Sequence, residues 1–135
     1  MSNEFNKITE ETKQLAQVCN DVLDDRQAQD IVTVDVSGLS FLASYFILCT
    51  GTSEPHLRAI AEQLGRGTRE KLERRPSTVE GTAASHWILV NYGDIVVHIM
   101  TREARDIYDL DGLWADAPRP EDFHNLSKHQ PSADQ

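Results

Sequence analysis

Only two cysteines, Cys19 and Cys49, occur in 135 residues, far apart and without CxxC or Cys/His spacing. That excludes a zinc motif and a disulfide framework, and it fits a reducing compartment. Long hydrophobic runs are missing as well. The longest, Tyr45 to Cys49, is too short to span a bilayer, and Met1-Ser2-Asn3-Glu4 starts neither a basic nor an apolar leader. A cytoplasmic protein is the expectation. Basic charge is scarce: 13 Lys and Arg stand against 22 Asp and Glu, a net charge of -9. The chain's long-range field therefore does not draw it to nucleic acid or to an anionic membrane, and a basic protein partner is the easier match.

The acids gather at the two ends, in residues 1 to 30 and 103 to 123. Between them, Arg58, Arg66, Arg69, Lys71, Arg74 and Arg75 outnumber Glu54, Glu62, Glu70 and Glu73. A solvated helix surface is the plainest account of that basic stretch.

The length suits one domain with a real core. Ile8, Leu15, Cys19, Val22 and Leu23 share one face of an amphipathic helix over residues 8 to 26. Asp30 to Val36 alternates β-branched residues and predicts a half-buried strand, after which Ser37-Gly38-Leu39-Ser40 turns and Phe41-Leu42-Ala43-Ser44 connects. Tyr45 to Thr50 is apolar without alternation, as in a strand covered on both faces. Ser53 is placed to cap a helix whose apolar spacing runs from Leu57 to Leu72 and which Pro76 ends. Gly65 and Gly67 weaken its middle, which predicts close packing or a bend there. A short strand is expected at Ser77 to Gly81.

From His86 to Trp114 the chain carries both tryptophans, two apolar runs and, between the runs, Asn91-Tyr92-Gly93-Asp94, which reads as the turn of an antiparallel hairpin. Glu103 to Leu113 starts as a helix. The fold class is α/β: a mixed sheet of about five strands covered by helices, in a single domain over residues 1 to 117 with a flexible tail at 118 to 135.

The search for chemistry ends without an active site. Gly51-Thr52-Ser53 sits where strand meets helix, a place for an anion, but it lacks the phosphate-loop spacings and a capping turn explains it. The sole D-x-D, Asp109-Leu110-Asp111, is far along the chain amid other acids. Asp94 and His98, four apart on a strand, would share a face about 13 Å apart, too far for a catalytic pair. His98 is either a satisfied histidine at the sheet surface or part of a binding face. No metal, cofactor or catalytic residue is expected. The aromatic and aliphatic groups among the acids have the composition of a protein-binding hot spot with a polar rim. The candidate partner-binding residues are Trp87, Tyr92, Asp94, His98, Arg105, Tyr108, Leu110 and Trp114.

The runs Asp30 to Val36, Tyr45 to Ser53, Trp87 to His98 (WILVNYGDIVVH) and Tyr108 to Trp114 (YDLDGLW) resemble, in order and spacing, the ribosomal silencing factor or Iojap family, over residues 8 to 117. The resemblance implies a nucleotidyltransferase-like α/β fold without the catalytic carboxylates. It also implies binding to the large ribosomal subunit through its protein L-fourteen, where it would block joining of the small subunit and lower translation under nutrient limitation. Self-association of the exposed hairpin into a homodimer off the ribosome is compatible with this. A residual nucleotide-binding or nucleotidyltransferase-like activity is the rival expectation.

Overall fold

The computed structural model describes residues 8–38 and 43–120. The expected turn and connector at 39–42 and most of the expected tail, 121–135, lie outside them.

Helix α1 (Glu10–Asp25) starts where the Thr9 side chain accepts the amide of Thr12 at 3.1 Å, and Glu10 and Glu11 suit the positive end of its dipole. Its apolar stripe of Leu15, Ala16, Cys19 and Leu23 is fully buried. One polar group interrupts the stripe. Asn20 is satisfied there by donating to the Ala16 carbonyl at 2.9 Å and to Thr33 Oγ1 at 3.0 Å, so it costs the core no unpaired donor.

Strands β1 (Gln29–Asp35) and β2 (Tyr45–Gly51) pair antiparallel, with an irregularity between Gln29 and Val32. Helix α2 (Glu54–Leu72) follows, capped by Ser53, with Pro55 in its first turn, and ends at Glu73 in the left-handed conformation. Strands β3 (Thr78–Thr82), β4 (Trp87–Asn91) and β5 (Ile95–Thr101) complete a five-stranded sheet of order β1-β2-β5-β4-β3. The β4–β5 hairpin is antiparallel, as expected, and turns at Gly93 with φ +96°. Two short helices, α3 (Arg102–Tyr108) and α4 (Leu110–Leu113), follow the last strand.

β2 and β5 pair parallel, Tyr45 opposite Ile95 through Gly51 opposite Thr101. The expectation of a mixed sheet under helices holds. The central place belongs to β5, one strand over from β2, and all its residues from Ile95 to Met100 are buried. On one face α1 and α2 cover Ile47, Cys49, Ile88, Val90, Ile95, Val97 and Ile99. On the other, Val34, Val36, Leu48 and Val96 lie under Leu110, Trp114 and Ala117. Each fully buried Leu or Ile contributes roughly 1.5–3 kcal/mol, so both layers matter to stability.

Two expectations need correction. β1 is covered on both faces rather than half-buried, with Ile31 toward the helices and Val34 and Val36 toward the second layer. Pro118, expected to begin a flexible tail, accepts the Asp35 amide at 2.7 Å, so the chain just past α4 is tied to the end of β1.

The two glycines of α2 differ. A Cβ on Gly67 would lie 2.7 Å from Val22 Cγ2, whereas Gly65 has nothing within 4 Å. Gly67 thus lets α1 and α2 approach closely. We expect G67V to lower stability by about 1–3 kcal/mol through overpacking, and G65A to raise it by about 0.5–1 kcal/mol through helix propensity. Urea unfolding midpoints of the two variants check both signs.

Candidate docking face

The strand register decides which side chains meet on the face away from α1 and α2. Trp87 lies opposite Met100, Leu89 opposite His98 and Asn91 opposite Val96, while Phe46 and Leu48 align with Val96 and His98. α3 and α4 fold back over this face and bring Tyr108, Leu110 and Trp114 to it.

A row of rings results. Tyr108 is 4.7 Å from Trp87 between centroids, Trp87 is 5.9 Å from His98, His98 is 5.0 Å from Phe46, and Phe46 is 5.1 Å from Trp114. The two contacts of Phe46 are edge-to-face, the two of Trp87 tilted, and an edge-to-face aromatic pair adds about 0.5–1.5 kcal/mol beyond burial. Within the row Trp87 Nε1 donates to His98 Nδ1 at 3.2 Å, which puts the imidazole proton on Nε2. Burial pushes the His98 pKa down to about 4, so the ring is neutral at pH 7. His98 Nε2 and Trp114 Nε1 are both buried and have no hydrogen-bond partner among the described residues.

The row is only partly roofed. Ile107 is 75% exposed, Tyr108 56% and Leu113 70%, large apolar groups at the outer side of the two short helices. Exposed Asp106, Asp109 and Asp116 stand around them. α3 is too short to bury more than one side: Ala104 and Arg105 face inward, and Ile107 cannot follow them.

What fastens this cover to the sheet is Arg105, 4% exposed. Its Nε and Nη2 donate to the two Asp111 oxygens at 2.8 Å each, and Nη1 donates to the Asp30 carbonyl at 2.7 Å and to Thr50 Oγ1 at 3.0 Å. One guanidinium so ties α4, the start of β1 and the end of β2. The hydrogen bonds from Arg105 hold the Asp111 carboxyl below the usual carboxylate range.

Of the eight residues expected at a partner interface, the structure gathers Trp87, His98, Tyr108, Leu110 and Trp114 on this face. It places the other three in internal contacts. Arg105 is the strut just described. Tyr92 is 4% exposed in the helix-side core, with its hydroxyl 2.9 Å from Thr68 Oγ1. Asp94 accepts from Thr12 Oγ1 at 2.7 Å and from Arg74 Nη2 at 2.9 Å, on the α1–α2 side. Asp94 and His98 therefore point to opposite faces rather than one. The alternation that would have aligned them begins only at Ile95, and the left-handed Gly93 turns the chain just before it. Ile107 was missed, and its one sequence signal is an apolar residue amid acids.

A second concave region lies at the carboxyl ends of β2 and β5, where α2 and α3 begin. Its cavity of about 520 Å³ is lined by Gly51, Thr52, Ser53, Glu54, His86 and Glu103, among others. Two of the amides there are occupied: Thr52 N–H donates to His56 Nδ1 at 2.9 Å and His56 N–H to Ser53 Oγ at 3.2 Å. Glu54 lies 3.5 Å from His86 Nε2. No group of three or more potential metal ligands occurs among the described residues. Burial pushes the Cys49 thiol up to about 12 and that of Cys19 up as well, so neither supplies a thiolate. No helix among the described residues is long and apolar enough to cross a membrane.

Comparison with known proteins identifies the family. Residues 9–135 match the family model RsfS, "Ribosomal silencing factor during starvation". The chain belongs to the ribosomal silencing factor family. It is 34% identical over 110 residues to the ribosomal silencing factor of Halalkalibacterium halodurans, covering 81% of this chain and 92% of that one. It is 33% identical over 95 residues to a mouse protein named for mitochondrial assembly of the ribosomal large subunit, covering 69% of this chain and 42% of that one. A crystal structure of a Chromobacterium violaceum protein, 31% identical, superposes with TM-score 0.72 over 76% of this chain and 85% of that one. For this family member the mixed five-stranded sheet expected from the residues stands, and so does the resemblance to ribosomal silencing factors.

Three substitutions at two buried positions test this framework. Arg105→Ala leaves Asp111 and the Asp30 carbonyl without their donor and is expected to cost about 3–5 kcal/mol in urea unfolding. Arg105→Lys should recover only part, because an ammonium cannot bind both carboxylate oxygens in the same fork. For His98 the folded chain holds the proton less well than an exposed imidazole of pKa 6.5. Stability from the neutral ring is complete above about pH 6.5 and declines as pH falls through about 4. Unfolding curves taken between those limits should show that slope, and His98→Leu should flatten it.

Proposed function

We propose that this chain binds the large ribosomal subunit through ribosomal protein L-fourteen and there blocks joining of the small subunit, silencing translation when nutrients are limiting. The observation that carries the proposal is the half-roofed aromatic row, with Ile107, Tyr108 and Leu113 exposed among Asp106, Asp109 and Asp116. Aromatic anchors in an acidic rim suit a basic protein surface, as desolvated rings supply affinity while the carboxylates steer and select the partner. Membership of the silencing factor family supports the choice of ribosomal partner.

The mode of action is steric, with no chemical turnover. Purified chain should co-sediment with isolated large subunits and slow their reassociation with small subunits, followed by light scattering. Ile107→Ala with Leu113→Ala, both at exposed positions, should leave the unfolding midpoint nearly unchanged and weaken co-sedimentation at least about tenfold. Wild-type chain that stays in the supernatant at low salt, or a double variant that sediments like wild type, would overturn the reading.

A further inference from the structure

On the helix side of the sheet, away from the aromatic row, a groove of about 760 Å³ opens between α2 and the outermost strand β3. One wall is a stripe of α2 at helical spacing, Glu62, Gly65, Arg66 and Arg69; the other runs from Arg75 to Val79. We propose that this groove holds the sugar-phosphate backbone of an RNA strand. The choice of RNA as occupant rests in part on the ribosomal reading above.

Three guanidiniums and one carboxylate line the groove, a local excess of positive charge in a chain of net charge -9. The arginines Arg66, Arg69 and Arg75 are exposed and form no ion pair among the described residues, whereas Arg74, Arg102 and Arg105 are held by Asp94, Asp30 and Asp111. A concave wall bearing one sign of charge focuses its field, and the planar fork of arginine matches phosphate oxygens. Gly65 has open space where a side chain would stand, so a backbone can approach the helix. Ser77 and Thr78 add neutral hydroxyl donors along the rim.

Among the described residues no aromatic side chain lines the groove, so it offers no platform for base stacking and reads backbone rather than sequence. The net acidity of the chain opposes RNA at long range. That repulsion is screened beyond about 8 Å at physiological salt, which leaves contact charges to decide. An acidic peptide is the competing occupant. It would add as a strand along the outer edge of β3, the last strand in the sheet order.

The test is fluorescence anisotropy of a labelled short single-stranded RNA with the full chain, over a salt series. R66Q/R69Q should weaken binding at least about tenfold and flatten the log-log salt slope by roughly 1.4, about 0.7 for each phosphate that is no longer neutralised. The charge-matched R58Q/K71Q, on the same helix outside the groove, should bind nearly as wild type does. Absence of wild-type binding, equal losses in the two double variants, or polyglutamate binding in place of RNA would each overturn the proposal. Co-sedimentation with large subunits keeps the two readings apart. If it persists while RNA binding is absent, the groove proposal alone falls; if it fails while R66Q/R69Q still abolishes RNA binding, the ribosomal reading alone falls.

Discussion

The parallel pairing of β2 with β5 sets the terms for the rest of the molecule. Two adjacent strands that are apolar on both faces must be roofed twice, and a parallel pair needs a long crossover, which here contains α2 and the β3–β4 strands. The helix side receives two long helices, which bury Ile47, Cys49, Val97 and Ile99. The other side receives only seven and four residues of helix, from α3 and α4. That shortfall leaves Ile107 and Leu113 in solvent, and Tyr108 exposed at the end of a partly buried row of rings.

A short cover has too little apolar area to hold itself down, and Arg105 supplies what area does not. Its bidentate pairing with Asp111 and its bonds to Asp30 and Thr50 join residues separated by up to 75 positions. The pair is partly desolvated, so it acts through geometry, fixing where the cover lies, more than through net attraction. Asp94 plays the matching part at the other end of the sheet, binding Thr12 of α1 and Arg74 just beyond α2. Charges that a chain of this composition would normally leave in water are used inside as ties.

The exposed charges then define two surfaces. Asp106, Asp109 and Asp116 stand beside the exposed apolar groups of α3 and α4, and Arg66 and Arg69 of α2 flank a groove on the helix side. A ligand that reached both would have to meet hydrophobic anchors in an acidic rim on one side and phosphate-matching cations on the other. A ribosomal particle, built of basic protein and RNA together, has both chemistries.

Local patterning was enough to read much of this. The apolar stripes of α1 and α2, the Ser53 cap, the Gly93 turn and the unalternating Tyr45–Thr50 run each follow from a period or a turn residue, and each element formed where its pattern lies. The motifs from Trp87 to Trp114 were sufficient for the family. Side-chain destinations were not legible in the same way. Tyr92, Asp94 and Arg105 look, by type and neighbourhood, like surface groups beside Tyr108 and Trp114. Their partners Thr68, Thr12 and Asp30 lie 24, 82 and 75 residues away. The basic stretch of α2 likewise reads as an ordinary solvated helix until β3 closes a groove against it. The sequence by itself determined the elements, the charge balance and the lack of an active-site motif, because these depend on near neighbours and composition. Only the tertiary structure decided which part of the Trp87–Trp114 stretch faces solvent and which is internal structure, because burial depends on strand register and on contacts between distant segments.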